Sequence, residues 1–486
     1  MGRWSWFFLA GCAAIYTALS GFVPAWDDEL YYWCWSKDWQ WSYYDHPPMT
    51  ALLIRASTSL LGDTLFAIRL PAILANLTVA AVLLWLTRPK RILWGALLSP
   101  IFTFGAVLIT PDTPLLLFWS LYLAWLVKVQ EKLAGSDAGW WWWSLGGLLL
   151  GCGILGKYTA GLAVPAGLAS FALIGPGSLR RWMPGYFLHL AVAFVASAPI
   201  LIHNVREQFV PLLYQLGHVA SSDGAGWKSF GEFLGIQALL VGTLPLVLLP
   251  WVLWKAKAFL VEPRLRVCAC LYALPMLFFL AKAARGPLEG NWAIVSYLAF
   301  WPIAAEWCTA IRSLNWKSRW LLTWGTRLSF LPPVFSIAAL GTHIAHPLPV
   351  IPATSDRISH VRARHELFDE IADVLKTRPE GVPVFTDAYQ NAAVLRFAGV
   401  PVQQEAGLAR PSHFTQVPQR MNDHGCVWYL APEPAEDRKD AAGVRGAFAD
   451  HVDGFAYRRL LAEFPMVTRG HEEFRYRLYE YRKAGR

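Results

Sequence analysis

Charged side chains are scarce in this sequence, and they are unevenly distributed. Only 16% of the 486 residues are Asp, Glu, Lys or Arg, whereas a soluble protein carries about 25%. Long apolar stretches fill residues 1–345, and the charged residues crowd into 346–486. This shortage excludes a wholly soluble protein. The change in composition predicts a transmembrane domain over 1–345 and a C-terminal soluble α/β domain over 346–486.

The seven cysteines lack the spacing of a metal site. Five of them fall in apolar stretches and are interpreted as small buried hydrophobic residues. Cys34 and Cys426 lie outside these stretches, so a disulfide between them is an open alternative.

Nucleic-acid binding is not favoured, although the formal charge is +9. Many of the basic residues lie in short loops between apolar segments, where Lys and Arg determine membrane topology. The 26 Trp and 17 Tyr fit the same interpretation, because amphipathic rings prefer the membrane interface.

An apolar stretch of about 20 residues crosses a bilayer as a helix. The sequence predicts about eleven such helices, at roughly 4–23, 66–87, 92–110, 113–130, 141–156, 159–175, 184–203, 232–254, 265–282, 292–311 and 320–345. If these spans alternate, five groups of Lys and Arg face one side, which is therefore predicted to be cytoplasmic. The opposite side receives the first loop (24–65), Asp112, Lys157 and the C-terminal domain.

The first loop is predicted to contain two interfacial helices. Residues 26–41 are rich in Trp and Tyr, and residues 49–61 have the apolar spacing of a helix that ends at Gly62. In the C-terminal domain, periodicity predicts helices over 362–377 and 389–397 and strands over 383–387, 426–430 and 474–481.

Several polar residues on the non-cytoplasmic side require an explanation, because desolvating a charge is costly. Asp27, Asp28 and Glu29 either cap a helix or supply a carboxylate that takes a proton from a hydroxyl. Asp45 either caps the next helix or, with His46, binds a phosphate or a divalent cation. Asp112 is a capping candidate that faces the same compartment as Asp28.

Cationic and polar residues accompany these carboxylates. Lys157, beside Tyr158, either extends its ammonium group to the interface or holds a lipid-linked phosphate. Further polar residues are predicted on the same side: Arg55, His203, His218, Arg285, Glu289 and Asn291. Together they predict an enzyme that acts on a lipid with an anionic headgroup.

Short motifs occur in order along about 1–310: Asp28-Glu29-Leu30-Tyr31-Tyr32-Trp33, Tyr44-Asp45-His46-Pro47-Pro48-Met49, Gly62-Asp63-Thr64, Arg69-Leu70-Pro71, Thr110-Pro111-Asp112-Thr113-Pro114-Leu115, Gly156-Lys157-Tyr158-Thr159-Ala160, His203-Asn204, Gln215-Leu216-Gly217-His218 and Glu289-Gly290-Asn291-Trp292. This series resembles bacterial membrane glycosyltransferases related to dolichyl-phosphate-mannose protein mannosyltransferases and the lipid A aminoarabinose transferase. More loosely, Asp387-Ala388-Tyr389-Gln390 resembles the soluble domain of some members.

The resemblance implies a GT-C fold in a bacterial inner membrane and a polyprenyl-phosphate sugar as donor. It implies an inverting transfer to an acceptor hydroxyl at the periplasmic face, the acceptor being a lipid, a glycan or a protein. Asp28 would be the general base and Asp112 would support it. Asp45 is the candidate ligand of a divalent cation. The aminoarabinose branch has Glu followed by Lys at this position, whereas this sequence has Asp45 followed by His46.

The resemblance also suggests two further groups of site residues. Donor-phosphate binding is expected of Lys157, Tyr158, His46, Arg55, Arg285 and His218, and supporting roles of Glu29, Asp45, Glu289 and Asn291. The alternative is a lipid-linked-sugar flippase or other transporter, which would place ionisable residues near the bilayer midplane.

Overall fold

A computed structural model describes residues 2–88, 90–135, 137–220, 226–416, 420–434 and 455–483. The chain divides into two compact units. The first comprises Met1–Gly21, Gln40–Ser42 and His46–Gly341. The second comprises Phe22–Trp39, Tyr43–Asp45 and Thr342–Arg486, so part of the first loop belongs with the C-terminal segment.

The described residues are mostly helical. In chain order the helices are α1 Arg3–Phe22, α2 Asp27–Lys37, α3 Met49–Leu61, α4 Leu65–Leu86, α5 Trp94–Leu97, α6 Pro100–Thr103, α7 Asp112–Gly135, α8 Trp140–Gly156, α9 Ala163–Ala172, α10 Leu179–Ala196, α11 Ala198–Arg206, α12 Val210–Ala220, α13 Trp227–Leu240, α14 Leu244–Trp254, α15 Ala256–Phe259, α16 Pro263–Ala283, α17 Ile294–Ala310, α18 Trp316–Leu328, α19 Leu331–Ala345, α20 Arg357–Lys376 and α21 Tyr389–Phe397.

Within the described part of the chain, six helical segments are long and apolar enough to cross a membrane. The number rises to eight if the bent pairs α10–α11 and α13–α14 each form one span. The expected eleven spans are not confirmed. The predicted span 92–110 is interrupted, because Pro100 begins the short helix α6 rather than extending α5. Helices α8 and α9 have only 17 and 10 residues.

Glycines let α8 pack closely against its neighbours in the first unit. A Cβ atom on Gly146 would lie 2.2 Å from the ring of Trp125 on α7. On Gly156 it would lie 2.9 Å from the backbone nitrogen of Leu115, also on α7. Small residues commonly allow such close approach in membrane proteins. The last turn of α8 therefore lies directly against the first turn of α7.

The second unit contains a mixed five-stranded sheet with α2, α20 and α21. Its strands are β1 Val384–Thr386, β2 Val402–Gln404, β3 Cys426–Pro434, β4 Tyr457–Thr468 and β5 His471–Arg482, in the order β2-β1-β3-β5-β4. Strand β1 is parallel to β2 and β3, whereas β5 is antiparallel to β3 and β4. A buried cluster that includes Phe385, Tyr429 and Tyr479 forms part of its core.

Helix α2 packs against α21 through aromatic side chains. The ring of Tyr31 lies 4.4 Å from that of Tyr389, and the ring of Trp33 lies 5.1 Å from that of Phe397, measured between centroids. The expected helix is present, and its Tyr31, Tyr32 and Trp35 are buried in protein contacts, whereas Trp39 and Trp41, which follow it, are exposed. Cys34, on the same helix, and Cys426 are both free thiols, so the alternative of a disulfide is not realised.

Candidate functional site

Asp112 begins α7, and its carboxylate is buried. Oδ1 accepts a hydrogen bond from Nζ of Lys157 at 2.7 Å, and Oδ2 accepts one from Nδ2 of Asn291 at 2.5 Å. The carboxylate therefore binds two side chains from elsewhere in the first unit. Helix capping alone does not account for Asp112.

Lys157 reaches Asp112 because the backbone changes direction after α8. The residue is extended, with φ −157° and ψ 138°, between Gly156 and a 3-10 turn at Tyr158–Leu162. Both side chains of the ion pair are 11% exposed. A buried ammonium group needs such a partner. Because lysine has three N–H donors and Asp112 uses one, the others remain for a second oxygen ligand.

Asn291 is positioned by close packing of its own turn. The 3-10 turn Gly290–Ala293 carries it, and the carbonyl of Gly290 accepts a hydrogen bond from Nε2 of Gln237 at 3.0 Å. A Cβ atom on Gly290 would lie 2.3 Å from Ile236, so glycine is needed for this approach to α13. Asp112, Lys157 and Asn291 thus form one cluster from three distant parts of the sequence.

The other residues of the first unit that are expected to bind the donor phosphate differ in their contacts and in their burial. The hydroxyl of Tyr158 is hydrogen-bonded to Ser42 and Asn204. His46 is partly buried, and the side chains of Arg55, Arg285 and Glu289 are exposed. His218 lies on α12, and its side chain is outside the described part of the structure.

Asp28 lies in the first turn of α2, in the second unit. Its Oδ1 accepts a hydrogen bond from the hydroxyl of Tyr389 at 3.0 Å. Part of the side chain is open to solvent. Nevertheless, burial by surrounding atoms raises its pKa, and the nearby carboxylates of Asp27 and Asp45 act in the same direction. The Tyr389 hydrogen bond and the charge of Arg410 oppose this increase in pKa.

The two carboxylates next to Asp28 have structural partners. Asp27 pairs with the guanidinium of Arg364, and Nε2 of His365 lies 3.4 Å from its Oδ1. Oε2 of Glu29 accepts the backbone N–H of Trp26 at 3.1 Å, which caps the start of α2. Glu29 therefore supports the position of Asp28 through the helix.

Asp45 is tied to the same region of the second unit. Its Oδ1 accepts from Nη1 of Arg410 at 2.5 Å, and its Oδ2 accepts from the hydroxyl of Tyr31 at 2.8 Å. The guanidinium of Arg410 also lies 4.5 Å above the ring of Tyr389. Arg410 thus connects Asp45 with the tyrosine that binds Asp28.

The surroundings of Asp45 do not fit a divalent cation. Both of its oxygens already bind protein donors. Across the described residues, no group of three or more His, Cys, Asp and Glu side chains is placed to hold a metal ion. Divalent cations such as Ca²⁺ need several oxygen ligands. Metal dependence through Asp45 remains a prediction from the family resemblance.

Sequence reasoning missed the partners of Asp28 and Asp45 in the C-terminal segment. Tyr389 carried a signal, because it lies in the short motif that resembles other soluble domains. Arg410 carried none, since it lies in a loop without periodicity. Tyr31 lies within the first motif, but its hydrogen bond to Asp45, 14 residues further along the chain, becomes visible only in the fold.

Solved structures show which class of fold this is. The chain is similar to ArnT of Cupriavidus metallidurans bound to undecaprenyl phosphate, with a TM-score of 0.64 at 14% identity over 98% of each chain. It is also similar to the archaeal oligosaccharyltransferase AglB of Archaeoglobus fulgidus, with a TM-score of 0.51 at 12% identity over 84% of this chain and 65% of that one. The fold of this membrane protein is therefore similar to the folds of ArnT and AglB.

Sequence comparison confirms the resemblance carried by the motifs. Residues 45–203 match the model of the dolichyl-phosphate-mannose-protein mannosyltransferase family. The chain is 26% identical over 306 residues to lipid A galacturonosyltransferase RgtD of Rhizobium johnstonii. That alignment covers 59% of this chain and 62% of the relative. In sequence and fold, the protein thus resembles the GT-C glycosyltransferases.

Proposed function

We propose that the protein is an inverting glycosyltransferase that moves a sugar from a polyprenyl phosphate to an acceptor hydroxyl. One observation supports Asp28 as the general base. Among the described residues, Asp27, Asp45 and Asp112 each have a salt bridge, whereas Asp28 has none and is bound by the neutral hydroxyl of Tyr389. A carboxylate with a raised pKa and an open face is suited to accept a proton.

In the proposed reaction, Asp28 takes the proton of the acceptor hydroxyl. At the same time, the oxygen of that hydroxyl bonds to the anomeric carbon of the donor sugar. The bond from that carbon to the phosphate oxygen breaks, and the phosphate keeps the bonding electrons. Displacement from the opposite face inverts the anomeric centre. Each molecule of donor therefore yields one glycoside and one polyprenyl phosphate.

Lys157 binds the phosphate of the donor in this proposal. Asp112 holds its ammonium group in place, and Asn291 holds the other oxygen of Asp112. Groups fixed in advance stabilise developing charge without the cost of reorganising solvent. The secondary candidates for the same phosphate are Tyr158, Arg55, Arg285, His46 and His218. Of these, Tyr158 follows Lys157 directly.

The setting of this chemistry is also part of the proposal. We place the site and a soluble domain formed by 346–486 on the periplasmic side of a bacterial inner membrane. The chain would cross this membrane with about eleven helices. The relatives support a lipid-linked donor, since ArnT was solved with undecaprenyl phosphate. RgtD, a lipid A galacturonosyltransferase, supports a glycolipid as acceptor.

The substitution Asp28→Asn tests the general base. Asparagine retains an oxygen that can accept the Tyr389 hydrogen bond, so the fold should persist while the base is lost. Proton transfer by a positioned group contributes roughly 10²- to 10⁴-fold to rate. We therefore expect transfer from a polyprenyl-phosphate sugar, by purified protein in lipid nanodiscs, to fall at least about 100-fold.

Asp369→Asn, which changes an exposed carboxylate on α20, is the matched control and should retain full activity. Transfer by Asp28→Asn at the wild-type rate would remove Asp28 from the mechanism.

A further inference from the structure

The second unit contains a cavity of about 170 Å³ that has no role in the transfer described above. Its walls come from the start of α2, one face of α20 and the strands β4 and β5. Pockets for drug-sized ligands usually have volumes of roughly 300 Å³ or more, so this cavity suits a small group. The residues that determine its chemistry are Trp26, Asp27, Arg357, His360, Arg364, Phe474 and Tyr476.

Basic side chains of α20 face this cavity. Arg357, His360 and Arg364 occur at intervals of three and four residues, which places them on one side of the helix. Arg364 is neutralised by Asp27, and Nε2 of His360 lies 2.7 Å from Oε2 of the buried Glu473. Among the described residues, no carboxylate pairs with Arg357, which is exposed. One guanidinium at the cavity is therefore available to an anion.

A buried donor at the same place also lacks an acceptor. Nε of Arg364 is fully buried, and none of the described protein groups accepts its hydrogen bond. Oδ1 of Asp27, on the carboxylate that pairs with Arg364, is also buried without a hydrogen-bond partner among the described residues, so both unsatisfied atoms belong to this ion pair. The guanidinium of Arg357, unpaired within the described part of the chain, is thus the group at the cavity that indicates an oxyanion ligand.

The remaining walls are aromatic. Trp26, Phe474 and Tyr476 line the cavity together with the charged groups. A sugar ring has apolar C–H faces that pack on aromatic rings and hydroxyls that bond to polar side chains. The combination suits a sugar that carries a phosphate or a carboxylate.

We propose that this cavity binds an oxyanion-bearing sugar unit of the acceptor, either a sugar phosphate or a uronic acid, with Arg357 holding the oxyanion. The assignment of this cavity to the acceptor rests on the proposed function, in which Lys157 binds the donor phosphate. Binding itself does not depend on transfer and is measured separately.

Calorimetry on the full-length protein in nanodiscs tests the binding. The probes are glucose 1-phosphate, galacturonic acid and neutral glucose. At least one of the two anionic sugars should bind at least about tenfold more tightly than glucose, because hydrogen bonds to charged groups are strong. The anionic sugar that binds more tightly identifies the oxyanion as phosphate or carboxylate. Equal affinities for all three sugars would overturn the proposal.

The variant Arg357→Gln tests the residue, since an exposed side chain is replaced without disturbing the core. It should weaken binding of the anionic sugar about tenfold. Arg459→Gln, an exposed arginine on β4 that does not line the cavity, is the matched control and should bind as the wild type does. Unchanged affinity in Arg357→Gln would contradict the site.

Steady-state transfer separates the site from the proposed function. Arg357→Gln should raise KM for an anionic acceptor about tenfold and leave kcat and the KM of the donor unchanged. A higher KM for the donor instead would overturn the assignment to the acceptor. If the wild-type protein binds the anionic sugar but transfers nothing, the cavity remains a sugar-binding site and the proposed function fails.

Discussion

At the scale of single residues, Asp28 and its neighbours show how environment divides identical side chains into different roles. Asp27, on α2, pairs with Arg364, and Asp45, in the segment after α2, pairs with Arg410. Asp28 receives only the hydroxyl of Tyr389 among the described groups, and its pKa is raised. A carboxylate ordinarily titrates near pH 3.9, whereas a base that works near neutral pH benefits from a higher value.

The substitution Tyr389→Phe tests this relation through the pH dependence of transfer. The Tyr389 hydrogen bond stabilises the charged form of Asp28 and lowers its pKa. Its removal should therefore raise the pKa further, and activity should be lost at a higher pH on acidification. We expect the acid limb of kcat/KM to move to higher pH.

Tyr457→Phe alters an exposed tyrosine of β4 and should leave the profile in place. If the acid limb of Tyr389→Phe coincides with that of the wild type, Asp28 is not the group that titrates there.

At the scale of elements, the junction of α7 and α8 determines the position of Lys157. A Cβ atom on Gly156 would press against Leu115 and Pro114, at 2.9 and 3.0 Å. The close approach of the two helices depends on this glycine, and the ion pair between Lys157 and Asp112 depends on the approach.

The substitution Gly156→Ala should separate these helices and lengthen the contact between Lys157 and Asp112. Overpacking of this kind typically costs about 1–3 kcal/mol. We expect a lower thermal unfolding temperature in detergent and a several-fold higher KM for the polyprenyl-phosphate donor.

Gly153→Ala provides the comparison on the same helix. Its Cβ atom would meet Ala160 at 3.4 Å and Phe118 at 3.6 Å, which are ordinary contacts. The variant should be close to wild type in both measurements. Similar effects of the two substitutions would show that the fit at Gly156 is not special.

Elements with a strong local signal were predictable from the sequence. The helix Tyr389–Phe397 has the predicted bounds, and α3 ends at Gly62, where φ is +78° and glycine is favoured. Helix α20 begins at Arg357, earlier than predicted, because Asp356 accepts the backbone N–H of Ser359. Strands β2 and β4 were not predicted.

The candidate site was less predictable than the fold. Its carboxylates and Lys157 were named from motifs that lie in continuous stretches of sequence. The hydrogen bond between Tyr389 and Asp28 joins residues 361 positions apart, and the salt bridge between Arg410 and Asp45 joins residues 365 apart. Such contacts arise from tertiary packing and leave no spacing in the sequence.

At the scale of the whole molecule, the distribution of Lys and Arg predicts the membrane orientation. A single cysteine introduced by Ser355→Cys, before α20, should react with a membrane-impermeant maleimide in intact spheroplasts. One introduced by Ser313→Cys, in the arginine-bearing turn after α17, should react only after lysis. Both positions are exposed, and Cys426→Ser removes a partly exposed background thiol.

Reaction of both cysteines in intact spheroplasts, or the reverse pattern, would contradict the proposed location of the C-terminal domain. Mass spectrometry of the labelled peptides distinguishes the introduced cysteines from the native ones.

The membership of α2 in the second unit has a consequence for biosynthesis. The ribosome completes this helix early, yet its partners Tyr389 and Arg410 emerge only after the apolar helices between them have been made. Contacts that join distant residues form late, because a long loop must first close. A nascent chain therefore cannot assemble the surroundings of Asp28, and transfer would begin only after the C-terminal segment has emerged and folded.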